Sequence, residues 1–134
     1  MTDNLGKMLN KIKNAILVKH EAVLIPYTLN NFLILRILEQ EGFLDSINIV
    51  CKKKKREYKY IKVYLKYNEQ TSKSFIRNIC RLSKPSLRVY TNSKKIPRIL
   101  NGLGIIIVST SKGVMTSKDA YSNNIGGELL FSIW

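Results

Sequence analysis

The sequence predicts an α+β fold: an N-terminal α-β-α-β-β unit packed against a smaller, mostly β C-terminal half with short helices. Three observations carry this prediction. An apolar stripe at three- and four-residue steps opens the chain. Apolar and polar residues then alternate strictly from Tyr60 to Tyr67. Farther on, the β-branched run in Gly104–Val108 is too continuous for a half-exposed strand and reads as one buried on both faces. The polar stretch Asn68–Lys73 is the best division, giving domains 1–68 and 69–134, the second carrying the main candidate binding loop.

Residues Asp3–Val18 form the first expected helix, with Leu5, Met8, Leu9, Ile12, Ala15 and Ile16 on one face. Lys7, Lys11, Lys13 and Asn14 lie off that stripe. Ala22–Ile25 is short, apolar and stopped by Pro26, so it reads as a strand. A second helix is expected over Asn31–Glu41, with Asn30 as N-cap and Gly42 at the C-terminal glycine position. Phe32, Leu35, Ile37 and Leu38 supply its buried face. Leu44–Val50 reads as a strand and the basic run Lys52–Arg56 as a hairpin tip, either solvated or in contact with a partner molecule. In the next strand Ile61, Val63, Leu65 and Tyr67 face one way, and Tyr60, Lys62, Tyr64 and Lys66 the other.

In the second half, Ile76, Ile79 and Leu82 keep a helical step over Phe75–Leu82, but the segment is short and ends at Pro85. Leu87–Tyr90 suits a strand. Ile96–Leu100 suits a helical turn with Pro97 in its first positions. Thr116-Ser117-Lys118-Asp119 has capping-box spacing with Asp in place of Glu, so a short helix starts there. Glu128–Trp134 closes the chain as a strand.

Composition narrows the function. Twenty-three Lys and Arg against 9 Asp and Glu give a net charge of +14 and a pI near 9.9. A compact domain with that excess repels itself, and a polyanion relieves the repulsion. Hydrophobic residues at 45% of 134 suffice for a core without disulfide or metal. No segment approaches the ~20 apolar residues of a spanning helix, and Met1-Thr2-Asp3-Asn4 does not open like a signal peptide; no membrane partner is expected. Cys51 and Cys80 lack a partner motif and read as reduced thiols.

Catalytic chemistry is missing. His20 is the only histidine, which excludes a histidine-pair nuclease and paired-histidine metal motifs. Gly102-Leu103-Gly104 precedes a strand instead of following one and lacks the third glycine of a dinucleotide loop. Ser111-Lys112-Gly113 reverses the phosphate-loop order, and Ser109 lacks the glycines of a nucleophile elbow. No catalytic residue, cofactor, metal or small-molecule substrate is expected.

The most specific segment is Gly102–Thr116. A buried strand opens into Ser109, Thr110 and Ser111, then Lys112 and Gly113. Hydroxyls both donate and accept, so a row of them meets phosphates, ribose 2′-hydroxyls and base edges. Lysine adds a cation, and glycine lets backbone approach a ligand. Taken alone, the same residues also suit a polar turn.

This stretch resembles the signature of the small-subunit ribosomal protein number eight family, bacterial and organellar type. Met8–Ala15, Glu41–Leu44, Ser83–Tyr90, Ile96–Leu100 and Ile125–Leu129 resemble further family segments in the family's order. The likeness covers essentially the whole chain, strongest from Ser83 onward and weak across Ile47–Arg77. Ile96-Pro97-Arg98-Ile99-Leu100 and the terminal Ile133-Trp134 resemble plastid members. The abundance of Lys, Ile, Asn and Tyr, with their A/T-rich codons, suits an organellar genome.

The resemblance implies a structural protein of the small ribosomal subunit, in a plastid or otherwise a bacterium. It would bind the central domain of small-subunit rRNA, beside neighbouring ribosomal proteins. It implies that Ser109, Thr110 and Ser111 form the main RNA contact, with Lys112 on a phosphate beside Gly113. It also implies that Gly126 and Gly127 admit RNA backbone, and that Glu128 orders the neighbouring loop or accepts a base hydrogen bond. Tyr90 would lie against RNA, reinforced by Ser83, Lys84 and Arg88, and Lys11, Lys13 and Asn14 would contact phosphate and ribose. Tyr90 as sheet packing and Arg88 as a solvated residue remain the plain alternatives. The likeness also implies that Phe75–Leu82 is a strand, against its helical step. Ser86 replaces a usual glycine, which predicts a strained or altered turn after Pro85. Tyr121 replaces a usual arginine, and Phe131 a usual cysteine in the core.

Overall fold

The computed structural model describes residues 3–53, 57–93 and 104–134. They form two compact units, Met1–Ile76 and Arg77–Trp134. The polar stretch after residue 68 stays with the first unit. The Phe75 amide donates to the Lys66 carbonyl at 3.0 Å and the Asn68 amide to Lys73 at 2.8 Å. The Tyr67 hydroxyl donates to the His20 carbonyl at 2.6 Å, and burial raises that phenol's pKa above its ordinary value.

The first unit is two helices on a three-stranded antiparallel sheet. Helix α1 spans Asn4–Leu17. It begins where Asp3 accepts from the Gly6 amide at 3.3 Å, and it buries Met8, Leu9, Ile12 and Ala15. Strand β1 is Ala22–Pro26. Helix α2 is Leu29–Gln40, two residues earlier than the sequence suggests. The cap is Thr28, not Asn30, because the Thr28 hydroxyl accepts from the Asn31 amide at 3.1 Å. Its buried face is Asn31, Ile34, Leu35 and Leu38, while Phe32 and Ile37 are only half-buried. Strands β2, Leu44–Lys53, and β3, Glu57–Leu65, complete a sheet of order β1-β3-β2. Ile61, Val63 and Leu65 are buried and Tyr60, Lys62 and Tyr64 are not, as the alternation predicts. Of the expected tip Lys52–Arg56, residues 54–56 lie outside the described residues.

Among the described residues the second unit is a five-stranded antiparallel sheet with one short helix. Its strands are β4 Ile79–Arg81, β5 Tyr90–Thr91, β6 Ile105–Thr110, β7 Gly113–Thr116 and β8 Gly127–Ile133. The order is β4-β8-β6-β7, with β5 also on β8. The helical step over 75–82 is not a helix. Ile76 and Ile79 are both buried, but the chain is extended and β4 pairs with the far end of β8. Partners fifty residues away, invisible to local periodicity, decide this segment. The strand expected over Leu87–Tyr90 begins instead at Tyr90, because Leu87 closes a turn by bridging Lys84. Ile105–Val108 are buried, as the β-branched run predicts. Helix α3, Ser117–Ser122, starts at Thr116, whose hydroxyl accepts from the Asp119 amide at 3.2 Å. Phe131 is fully buried. The expected turn at Ile96–Leu100 lies outside the described residues.

The three helices among the described residues stop the same way. The residue after the C-cap has φ of 55° at Lys19, 86° at Gly42 and 55° at Asn124. The following amides reach back to Ala15, Leu38 and Ala120, a Schellman closure each time. Lysine at Lys19 holds a conformation that glycine adopts more cheaply.

Candidate RNA-binding site

The register of the second sheet assembles most of the expected contact residues. Tyr90 pairs with Glu128, Glu128 with Ser109, and Ser109 with Val114. Directly paired residues share a face, so Tyr90, Glu128, Ser109 and Val114 form one row across β5, β8, β6 and β7. A bulge makes this row possible. β6 pairs Ile107 with Phe131 but Val108 with Leu129, skipping Leu130. Residues three apart on a regular strand face opposite ways; the extra residue on β8 instead puts Glu128 on the same face as Phe131, so that each stands beside its β6 partner, Ser109 and Ile107. The Leu130 carbonyl is not wasted, accepting from the Leu82 and Ser83 amides at 3.0 and 3.3 Å.

The next row is Thr91, Gly127, Thr110 and Gly113. Here backbone approach demands glycine. A Cβ on Gly127 would fall on the Ser109 carbonyl, and one on Gly126 on Thr91 and Asn92 backbone. Both glycines therefore have an internal reason to be glycine, before any ligand approaches. Gly113 has φ of 108°, the backbone excursion that closes the β6–β7 hairpin.

The three hydroxyls do different things. Thr110 Oγ1 accepts from the Lys112 amide at 3.2 Å and donates to the Gly113 carbonyl at 2.7 Å, so it locks the turn. The hydroxyls of Ser109 and Ser111 make no hydrogen bond among the described residues, and Ser111 and Lys112 are exposed at the hairpin tip. The free Ser111 hydroxyl and Lys112 are thus held out on a two-residue turn, with the half-buried Ser109 beside it on β6.

The neighbouring segment braces this face. Ser83 is buried, and its hydroxyl accepts from the Val89 amide at 2.8 Å and donates to the Val89 carbonyl at 3.4 Å. Its geometry is that of a brace, whereas Lys84 beside it is exposed. The Lys84 and Leu87 amides and carbonyls exchange bonds of 2.8 and 3.0 Å. Ser86 within that turn has no positive φ, so the strain expected from its missing glycine does not arise. Tyr90 is 68% exposed, which rules out simple sheet packing. Arg88 is not simply solvated: its Nη1 lies 3.1 Å from Glu128 Oε1 and 3.4 Å from Oε2. Sequence reasoning named both residues but not their pairing, which needs partners forty positions apart to meet.

The first unit presents a second polar surface. Lys11 and Asn14 are exposed on α1 and line a groove of about 270 Å³ with Lys7, Asn10, Pro26 and Asn31. Lys7 and Asn10 join them because residues three and four apart share a helix face. Lys13 does not join them. Two positions from Lys11 it lies on another side of the helix, and it is half-buried. Tyr121 and Lys118 are exposed on α3. Among the described residues no three His, Cys, Asp or Glu form a group able to hold a metal ion, and no helix is long and apolar enough to cross a membrane.

Known proteins are similar to this chain along its whole length. Residues 3–134 match the family described as Ribosomal protein S8. Small ribosomal subunit protein uS8c of Thalassiosira pseudonana is 48% identical over 134 residues, covering 100% of this chain and 99% of that protein. The uS8c of Tupiella akineta is 46% identical, covering 98% of each. Small ribosomal subunit protein uS8 of Dehalococcoides mccartyi (strain CBDB1) is 40% identical, covering 100% of this chain and 99% of that protein. With a full-length family match and relatives at this level, the chain belongs to the ribosomal protein S8 family.

Proposed function

We propose that this chain binds the central domain of small-subunit rRNA directly, as a structural component of a plastid small ribosomal subunit. Family membership makes it a non-enzymatic ribosomal protein of the small subunit. Its chloroplast-type and bacterial relatives fit a plastid or bacterial ribosome. The finer reading rests on the second unit. Ser109 and Ser111 hold free hydroxyls, Lys112 adds an exposed cation, and Tyr90 and Glu128 continue the row. Unspent hydroxyls on a fixed turn suit the 2′-hydroxyls and base edges of folded RNA, and the +14 charge suits its phosphates.

Within this reading Ser109, Ser111, Lys112, Tyr90 and Glu128 touch RNA, with Lys84 at the margin. Thr110, Gly113, Ser83, Gly126 and Gly127 shape the surface that does so. Lys11 and Asn14, beside Lys7, take phosphate and ribose from the first unit, while Lys13 stands apart. Neighbouring small-subunit proteins complete the setting.

The test is direct. Purified protein is titrated against a transcript of the central domain and against a length-matched transcript from elsewhere in the same rRNA. The expected dissociation constant for the central domain is about 10⁻⁸ M or lower, with binding to the other at least ~10³-fold weaker. With about six phosphates neutralised, the log–log salt slope is on the order of −4 to −5. Equal affinity for both transcripts would overturn the reading. Sedimentation adds a second arm, because a free regulator of messenger RNA would stay out of the small-subunit fraction.

A further inference from the structure

We infer that Arg88 is a positioning residue that acts on RNA through Glu128, holding that carboxylate as a fixed acceptor for a base amino group. The inference rests on the proposed RNA-binding face and deepens it.

A carboxylate is the wrong group to meet a phosphate. Yet Glu128 stands in the middle of the row, between Tyr90 and Ser109. An RNA strand crossing this face must meet it with a donor, and the donors RNA offers are base amino and imino groups and ribose hydroxyls. Glu128 is well placed for selectivity because it is nearly enclosed: its side chain is 13% exposed, against 49% for Arg88. Arg88 reaches it with one nitrogen, Nη1, shared between the two oxygens at 3.1 and 3.4 Å. That single contact leaves lone pairs on both oxygens, since an ionised carboxylate accepts at about four sites. It also offsets a negative charge that would otherwise repel the phosphates of any strand near Lys112. A pair this exposed on the arginine side adds little to folding stability, so orientation is the role the geometry favours.

Arg88 as an ordinary phosphate contact makes a different prediction, and the two separate cleanly. Wild type, Arg88→Ala, Arg88→Lys, Glu128→Gln and the Arg88→Ala/Glu128→Gln double variant are titrated against the central-domain transcript over a salt series. The same proteins are titrated against transcripts in which each protected amino-bearing base is replaced in turn. Arg88→Ala and Glu128→Gln are each expected to weaken binding about tenfold, one good base contact's worth. The double variant is expected to bind no more weakly than either single one. The salt slope should be unchanged by Arg88→Ala. Arg88→Lys should recover most of the affinity, because an ammonium still pairs with the carboxylate, and this recovery distinguishes positioning from misfolding. One base replacement should cost wild type about tenfold and Arg88→Ala almost nothing. Multiplicative losses in the double variant, or a slope shallower by about one unit in Arg88→Ala, would make Arg88 a phosphate contact and overturn the inference. So would wild-type affinity in Arg88→Ala. In each case the RNA-binding reading would stand. That reading would fail instead if wild type did not distinguish the central domain at all.

Discussion

The two units carry different kinds of polar surface. The first carries its polar groups on the outside of a helix, where Lys7, Lys11 and Asn14 are flexible side chains beside an open groove. The second carries them on backbone that nothing can shift: two glycines that admit neighbouring strands, a threonine spent on its own turn, and a buried serine pinning Val89. Cations on long stems neutralise phosphates with little regard to sequence. Hydroxyls and a carboxylate at fixed positions discriminate between donors and acceptors. Within the proposed function, affinity is spread over both units while specificity belongs to the second.

The largest effect that would break the comparison concerns glycine. Gly127→Ala pushes a Cβ into the Ser109 carbonyl, and with backbone on both sides nothing gives way easily. A loss of about 3 kcal/mol is expected by urea unfolding. Gly42→Ala meets no atom within 4 Å but keeps φ of 86°, and should cost only about 1 kcal/mol. If the two variants were equally destabilised, the second unit's claim to rigidity would fall. Ser83→Ala follows. Removing the buried hydroxyl leaves the Val89 amide without its partner, and about 2 kcal/mol should be lost. If Ser83 only braces the face, as we propose, affinity at temperatures where the variant is folded should change far less than stability.

Smaller effects sharpen the electrostatic side. Lys11→Ala and Lys112→Ala should each make the salt slope shallower by about one unit. Lys11→Ala should weaken binding to central-domain and unrelated RNA by the same factor, and a selective loss would move specificity into the first unit. The smallest change is a gain. Lys19→Gly removes the cost of a left-handed lysine and should stabilise the fold by about 0.5–1 kcal/mol, provided that Lys19 bears no RNA contact; a matched fall in affinity would show that it does.

Legibility in the sequence followed the range of the interactions. Alternation at Ile61, Val63 and Leu65, the stripe of α1 and the cap at Thr116 are local, and each is readable from its neighbours. The start of α2 was harder because Thr28 and Asn30 both qualify as caps, and only the bond to Asn31 decides between them. Strand β4 was misleading: Ile76, Ile79 and Leu82 mimic a helical step, but pairing with Ile133 and Ser132 sets the conformation. At the site, the hydroxyl segment was conspicuous as residues, but its division of labour was not. That Thr110 is spent while Ser109 and Ser111 are free, and that Arg88 is tied to Glu128, depends on contacts made only after the sheet forms. The bulge at Leu130 was equally hidden, although the row of contact residues exists because of it.

In the proposed function the free Ser111 hydroxyl on the β6–β7 turn reads RNA structure rather than merely tolerating it. The most direct test is the affinity ratio between central-domain and unrelated RNA, measured for wild type and for Ser111→Ala at one salt concentration. Ser111→Ala is expected to weaken central-domain binding by about 1–3 kcal/mol and to leave unrelated RNA nearly unaffected, so the ratio falls. An equal loss on both RNAs, with the ratio preserved, would contradict it.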